Sequence, residues 1–240
     1  MAETDTPHAT WDKLLKTYVV EGEDGVTRFD YGKLQGDRED RRRLQAYLDD
    51  FASVDLSRLT FAEKFAAYSN IYNALTVSHI VDRYPIASIR SGYWLGGPWK
   101  SVQININGKR LSLHDIEHDI LRPMGDARVH YVINCASYSC PNLRRDALTA
   151  DTLEADLEAA ARDYINHPRG VSIRSRGGLE VSEIYKWFEA DFGGDEAAII
   201  AHFLVYAEAD LAALIRANPE IKKYNYDWSL NDVVSSQTLP

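Results

Sequence analysis

The sequence predicts an α+β fold, a single domain in which many helices surround a small antiparallel sheet. Three observations predict it. Apolar residues recur at helical spacing in about eight segments, strand-like runs are short and number only about five, and no strand–helix–strand alternation runs through the chain. The sheet is expected to be built from a hairpin at Asn107-Gly108, a strand beginning at Val129 and a hairpin at Gly177-Gly178. No repeat, linker or low-complexity stretch divides the chain, so residues 11–240 read as one domain behind a disordered start over residues 1–10.

Taken in order, Trp11 to Val20 carries Trp11, Leu14, Leu15, Tyr18 and Val19 on one helical face, and Val26 to Tyr31 reads as a short strand after a turn. Asp37 to Phe51 is a second helix. Thr60 and Glu63 form a capping-box pattern that opens a third, in which Phe61, Phe65, Tyr68, Tyr72, Leu75 and His79 share a face until the chain meets Tyr84-Pro85. Asn70 and Asn73 lie close to that face, where amides must be hydrogen-bonded, so they either tie down neighbouring loops or meet a substrate. Gly92 to Lys100, with Trp94 and Trp99, suits the rim of a cleft or a lid. Asn107-Gly108 is the strongest hairpin signal in the chain. Ser112 caps a short helix ending before Pro123. Leu148 to Asn166, Ser182 to Phe192 and Asp195 to Ala217 are further helices, and the aromatic tail Tyr224 to Asn231 must be docked, because an exposed Trp-Tyr tail would be an adhesive patch.

Composition excludes several functions. A formal charge of −9, with no run of basic residues, argues against nucleic acid and anionic membranes as partners. A hydrophobic fraction of 45% and a charged fraction of 26% are those of an ordinary globular protein. No stretch is long and apolar enough to insert in a membrane, and the first residues lack the pattern of a signal peptide, which favours the cytoplasm.

The chemistry concentrates in Arg128 to Asn142. Both cysteines of the chain, Cys135 and Cys140, stand there within a few residues of His130. Val129 to Ile133 is β-branched and aromatic and reads as a strand, and Pro141 suits the first position of a helix that would place Cys140 at its cap. Such a setting favours a thiolate. A nucleophile, a local disulfide and inert packing are all open to these cysteines. Upstream, His114-Asp-Ile-Glu-His118 matches H-x-x-E-H, a zinc-hydrolase pattern that needs a further ligand, for which Glu154, Glu158 and Glu183 are available.

Several phrases together resemble domain-of-unknown-function family 547 in its bacterial form: Asn70-Ile-Tyr-Asn-Ala-Leu-Thr76, Asp115-Ile-Glu-His118 with Leu121-Arg122, Val129 to Pro141, Val181 to Trp187 with Asp191-Phe192, and Tyr226-Asp-Trp-Ser-Leu-Asn231. The resemblance names no activity. It implies that Glu117, His118, His130 and Cys135 fall on motif positions, whereas His114 falls where residues vary, which undermines zinc. It also implies that Cys140 belongs to the bacterial form, that Tyr131 replaces a more usual Phe, and that the protein is periplasmic and trimmed of a signal peptide.

On a straight strand His130 and Cys135 would lie roughly 16 Å apart on opposite sides. Glu117 and His118 are splayed by about 100° on a helix. The expected arrangement therefore has His118 or His130 reaching Cys135 across a cleft, with Glu117 steadying a histidine other than its neighbour and amides of the Ala136–Cys140 loop holding an oxyanion. Tyr72, Asn70, Asn73, Cys140 and Trp94 are the substrate-contact or network candidates. The function expected is a cysteine-dependent hydrolase or acyltransferase acting on an amide, peptide or thioester, a permuted papain-like arrangement without cofactor or metal. The alternatives are a non-catalytic binding or scaffold domain with a buried polar network, and a metal-dependent hydrolase.

Overall fold

A computed structural model of the protein describes residues 8–94 and 97–233. The start expected to be disordered falls partly on residues 1–7, outside the described residues. His8 is already buried, its Nδ1 2.7 Å from Tyr47 Oη, and α1 spans Ala9–Tyr18. β1 (Val19–Glu21) pairs antiparallel with β2 (Thr27–Phe29), and α2 (Tyr31–Gly36) and α3 (Arg38–Asp50) follow, each capped by an aspartate, Asp30 and Asp37.

The spine is α4, Phe61–Arg83, opened by the expected capping box: the Thr60 amide donates to Glu63 Oε2 at 2.8 Å and the Glu63 amide donates to Thr60 Oγ1 at 3.4 Å. It is not amphipathic. Every residue from Phe65 to Val77 is buried, because other elements cover this helix on all sides. Its amides therefore have to find partners, and they find backbone. Asn70 receives the Leu148 amide at 3.0 Å and donates to the Leu148 carbonyl at 2.8 Å. Asn73 receives the Asn134 amide at 2.7 Å and donates to the Val132 carbonyl at 2.8 Å. The loop-tying reading of both residues holds.

β3 (Gln103–Ile106) and β4 (Lys109–Ser112) form the predicted hairpin, with Asn107 and Gly108 both at positive φ, 49° and 75°. Ser112 and Asp115 then cap each other reciprocally, and Asp115–Leu121 winds as a wide π turn. The strand expected at Val129 is absent: Ala127–Tyr131 is a tight 3₁₀ turn, capped by Asp126, which accepts from the Arg128 amide at 2.9 Å. Burial on all sides explains both the β-branched composition and the turn, since Val129 joins the core around α4 while Tyr131 joins a second core. No helix follows Pro141 either. The Pro141 carbonyl is held by Asn134 Nδ2 and the Cys140 carbonyl by Arg169, leaving neither for a helical amide.

Asn70 also delays α5, which begins at Leu153 rather than Leu148 and runs Leu153–Asn166. β5 (Val171–Ile173) and β6 (Leu179–Ser182) are the second hairpin, and β7 (Ile221–Asn225) adds to β6 in parallel. Without the Val129 strand to join them, the hairpins lie in separate sheets, and the third sheet is mixed rather than antiparallel. Between them stand α6 (Ile184–Trp187), α7 (Glu196–Tyr206) and α8 (Ala209–Ala217). The last two replace one expected helix, broken where the Glu208 amide donates to Asn166 Oδ1 at 2.7 Å. The architecture is α+β. Its two cores, one around α4 and one around α5 and α7, meet at Ala160 and at the Val129–Ala136 segment. Among the described residues no helix is long and apolar enough to cross a membrane.

Candidate active site

The seam between the two cores opens as a cavity of about 280 Å³, and the cysteine loop forms one wall. That loop is fixed from behind. Ala136 turns it back at φ 60°, a left-handed conformation stabilised by its amide donating to Asn134 Oδ1 at 2.7 Å. The docked tail then pairs with it: the Tyr138 amide donates to the Ser229 carbonyl at 2.7 Å, the Ser139 amide to Asp227 at 3.2 Å, and the Asn231 amide to Ala136 at 3.2 Å. With the Ala136 amide on Asn134, these bonds occupy the Tyr138 and Ser139 amides of the loop expected to hold an oxyanion, and the Cys140 amide is spent on the Ser137 carbonyl. The Ser137 hydroxyl stands beside both sulfurs.

The two sulfurs stand 2.7 Å apart. Cys140 Sγ accepts from the Cys135 amide at 3.1 Å and from the hydroxyls of Ser137, at 3.4 Å, and Tyr226, at 3.1 Å. Burial opposes ionisation of Cys140, but these donors and the Cys135 thiol offset it and bring the Cys140 thiol below its ordinary range. Cys135, sharing its proton with Cys140 and buried beside it, is pushed well up. Cys140, the thiol brought down, is 4% exposed, and Cys135, the thiol pushed up, is the half-buried one of the two.

Glu117 does not steady a histidine. Its Oε2 accepts from Tyr72 Oη at 3.0 Å, and burial raises its carboxyl to about 7 despite that bond, with the nearby Cys140 charge adding to the rise. The acid that meets His130 is Asp191, which spacing alone could not have found. Asp191 receives Arg122 through two bonds, 2.6 and 2.9 Å, and His130 Nε2 through a third at 2.7 Å. Burial works against its ionisation, yet His130 and Arg122 hold it well below the carboxylate range. Burial keeps His130 neutral, so Nε2 carries the proton and Nδ1 is left as an acceptor. Arg122 Nη1 donates to His118 Nδ1 at 2.7 Å, which leaves the His118 proton on Nε2. Burial, His114 and Arg122 lower His118 to about 4. His130 thus presents Nδ1 as an acceptor, and His118 presents Nε2 as a donor. Among the described residues no hydrogen bond joins either ring to a sulfur, so the expected histidine–cysteine dyad is not formed.

Coiling of the Ala127–Tyr131 segment puts His130 and Cys135 on the same cavity, where a strand would have separated them. Glu117, His118, Tyr72 and Cys140 line it too. Trp94 does not: it is 100% exposed, and Leu95 and Gly96 beside it lie outside the described residues. Trp99 takes the place expected of Trp94. A Cβ on Gly97 would collide with the Trp99 ring, so glycine is required there. Trp228 packs against Trp99 at 5.8 Å and against Trp187 at 5.4 Å between ring centres, and Phe188 stacks on His130 at 4.0 Å. His114 and His118 are adjacent, 4.3 Å between ring centres, but Glu154 pairs with Arg128 and Glu158 with Arg162. Among the described residues no group of three His, Cys, Asp or Glu side chains gathers to hold a metal ion.

These sulfurs, Glu117 and both histidines all fall within one stretch that is recognised by comparison with known families. Residues 56–165 match the family model described as Protein of unknown function, DUF547. No curated protein and no solved structure matches the chain. The DUF547 stretch supplies the sulfurs, Glu117, His118, Arg122 and His130, while Asp191, Tyr226 and the wall of Trp187, Phe188 and Trp228 come from the chain beyond it. The residues that sequence reasoning left without a role, Arg122, Asp191 and Tyr226, all stood inside phrases of the resemblance, which was the available signal.

Proposed function

We propose that the cavity carries out thiol-dependent acyl transfer, as a hydrolase or acyltransferase acting on an amide, peptide or thioester. One observation carries the reading: two sulfurs 2.7 Å apart open on the same cavity as a buried carboxyl raised to about 7. Cys135 is the nucleophile, because it is the more accessible sulfur. As it attacks the carbonyl, its proton passes to Cys140, 2.7 Å away. The Tyr226 hydroxyl and His118 Nε2–H are the donors for the oxyanion, Glu117 protonates the leaving group, and His130 Nδ1, set by Asp191, takes a proton from the incoming water or acceptor. The residues lining the cavity are rich in aromatic rings and include no lysine or arginine, which favours neutral or cationic acyl groups over carboxylates and phosphates.

A second reading has its own support. Glu117 with Tyr72, and Arg122 with His118 and Asp191, are paired with one another, as a structural polar network in a non-catalytic binding domain would be. A panel of acyl thioesters and activated amides separates the two. Acyl transfer requires an acyl adduct on Cys135, detected by mass and abolished in Cys135→Ser; absence of adduct and turnover across the panel leaves the structural network.

A further inference from the structure

The same two sulfurs invite a reaction that needs neither Glu117 nor a histidine. A disulfide bond is about 2.05 Å long, so at 2.7 Å the sulfurs need move only a fraction of an ångström to bond. The backbone that carries them is held in place. Asn73 and Asn134 fix its start, Arg169 Nη1 donates to the carbonyls of Tyr138, at 2.9 Å, and Cys140, at 2.6 Å, and the tail strand covers its middle. Closure therefore costs little ordering, which is what raises the effective concentration of one thiol toward the other. The two differ in access: both line the cavity, but Cys135 is half-buried there, whereas Cys140 is only 4% exposed. No other cysteine exists in the chain to compete.

We infer that Cys135 and Cys140 form a two-electron thiol–disulfide couple that exchanges with low-molecular-weight disulfides entering the cavity, Cys135 attacking and Cys140 resolving. Cys135, its proton passed to Cys140, attacks one sulfur of the external disulfide as a thiolate. A Cys135–sulfur bond forms, the external sulfur–sulfur bond breaks, and the first thiolate leaves. Cys140 then attacks the Cys135 sulfur, the Cys135–Cys140 bond forms, and the second thiolate leaves. The single proton of the pair departs with one leaving group, so the products are one intramolecular disulfide, one thiol and one thiolate. The pair is oxidised by two electrons and the external disulfide is reduced by two. The oxidised site has no free thiol, so the couple also switches off whatever chemistry Cys135 performs. The couple rests on the geometry of the sulfurs and not on the acyl-transfer reading.

The test treats the whole chain with cystamine, a small dicationic disulfide, at neutral pH, quenches with acid and reads the intact mass. The wild type is expected to lose two hydrogens and to carry no cysteamine, while Cys140→Ser retains one cysteamine on Cys135. Cys135→Ser should acquire cysteamine at least ~10-fold more slowly, because Cys140 is the more buried sulfur. A wild-type protein that keeps a cysteamine adduct without closing, or that stays reduced while the same chain closes after denaturation, overturns the inference. Because the readout is mass and not turnover, it stands or falls separately from acyl transfer.

Discussion

Arg122 Nη1 donates to His118 Nδ1 at 2.7 Å while the same guanidinium grips Asp191, which in turn holds His130. One arginine thus sets the proton positions of both histidines. Its charge also helps burial and His114 lower His118 to about 4. In Arg122→Leu the His118 titration should move upward, followed by the ring proton resonances through a pH series. An unmoved midpoint would show that Arg122 does not govern this ring.

Glu117 links the site to stability. Burial raises its folded-state carboxyl from 4.5 to about 7, so between those values the folded protein keeps a proton that the unfolded chain has released. The associated stability is fully present below the unfolded value and is lost as pH rises through the folded one, about 3 kcal/mol in all. Glu117→Gln, which can still accept from Tyr72, should flatten the slope of urea stability against pH over this window. An unchanged slope would mean that Glu117 is not the buried titrating group.

Tyr226 is expected to hold the charge on the sulfur pair. Its hydroxyl lies 3.1 Å from Cys140 Sγ and 3.3 Å from Cys135 Sγ. A hydrogen bond to a charged group contributes about 1.5–3 kcal/mol, so Tyr226→Phe should raise the first thiol ionisation by about 1–2 units. Thiolate absorbance against pH reads this directly, and a curve that does not shift would remove Tyr226 from the site.

Asn73 should matter for the fold more than for chemistry. Asn73→Ala strands the Val132 carbonyl and the Asn134 amide in the core, at a cost of about 2–5 kcal/mol. Urea unfolding measures it, and a loss below about 0.5 kcal/mol would mean that the loop finds other partners.

What the sequence discloses here is what neighbours in the chain decide. The Thr60 and Glu63 capping box, the Asn107-Gly108 turn and the loop-tying amides on α4 are all readable, because spacing and burial cost specify them. The Val129 run misleads: its β-branched residues suit burial on either side, and only the two cores flanking it show that it must turn. The pairing of Glu117 with Tyr72 rather than a histidine, and of His130 with Asp191, joins residues 45 and 61 positions apart, which no periodicity reports. The cavity wall was legible only in part. Aromatic density marked both the Gly92–Lys100 loop and the tail, but which tryptophan turns inward depends on Gly97, whose backbone lets Trp99 fold against it.

The sulfur pair is expected to carry a thiolate at neutral pH and to present Cys135 to the cavity. The most direct measurement of this is the rate of alkylation of Cys135 by iodoacetamide in the reduced protein, located by peptide mass, from about pH 5 to about pH 9. Because the Cys135 proton can pass to Cys140, 2.7 Å away, reaction is expected well below the free thiol value of about 8.5, an advantage diminished in Cys140→Ser and in Tyr226→Phe. Alkylation that begins only above that value, or only once the chain is unfolded, would contradict it.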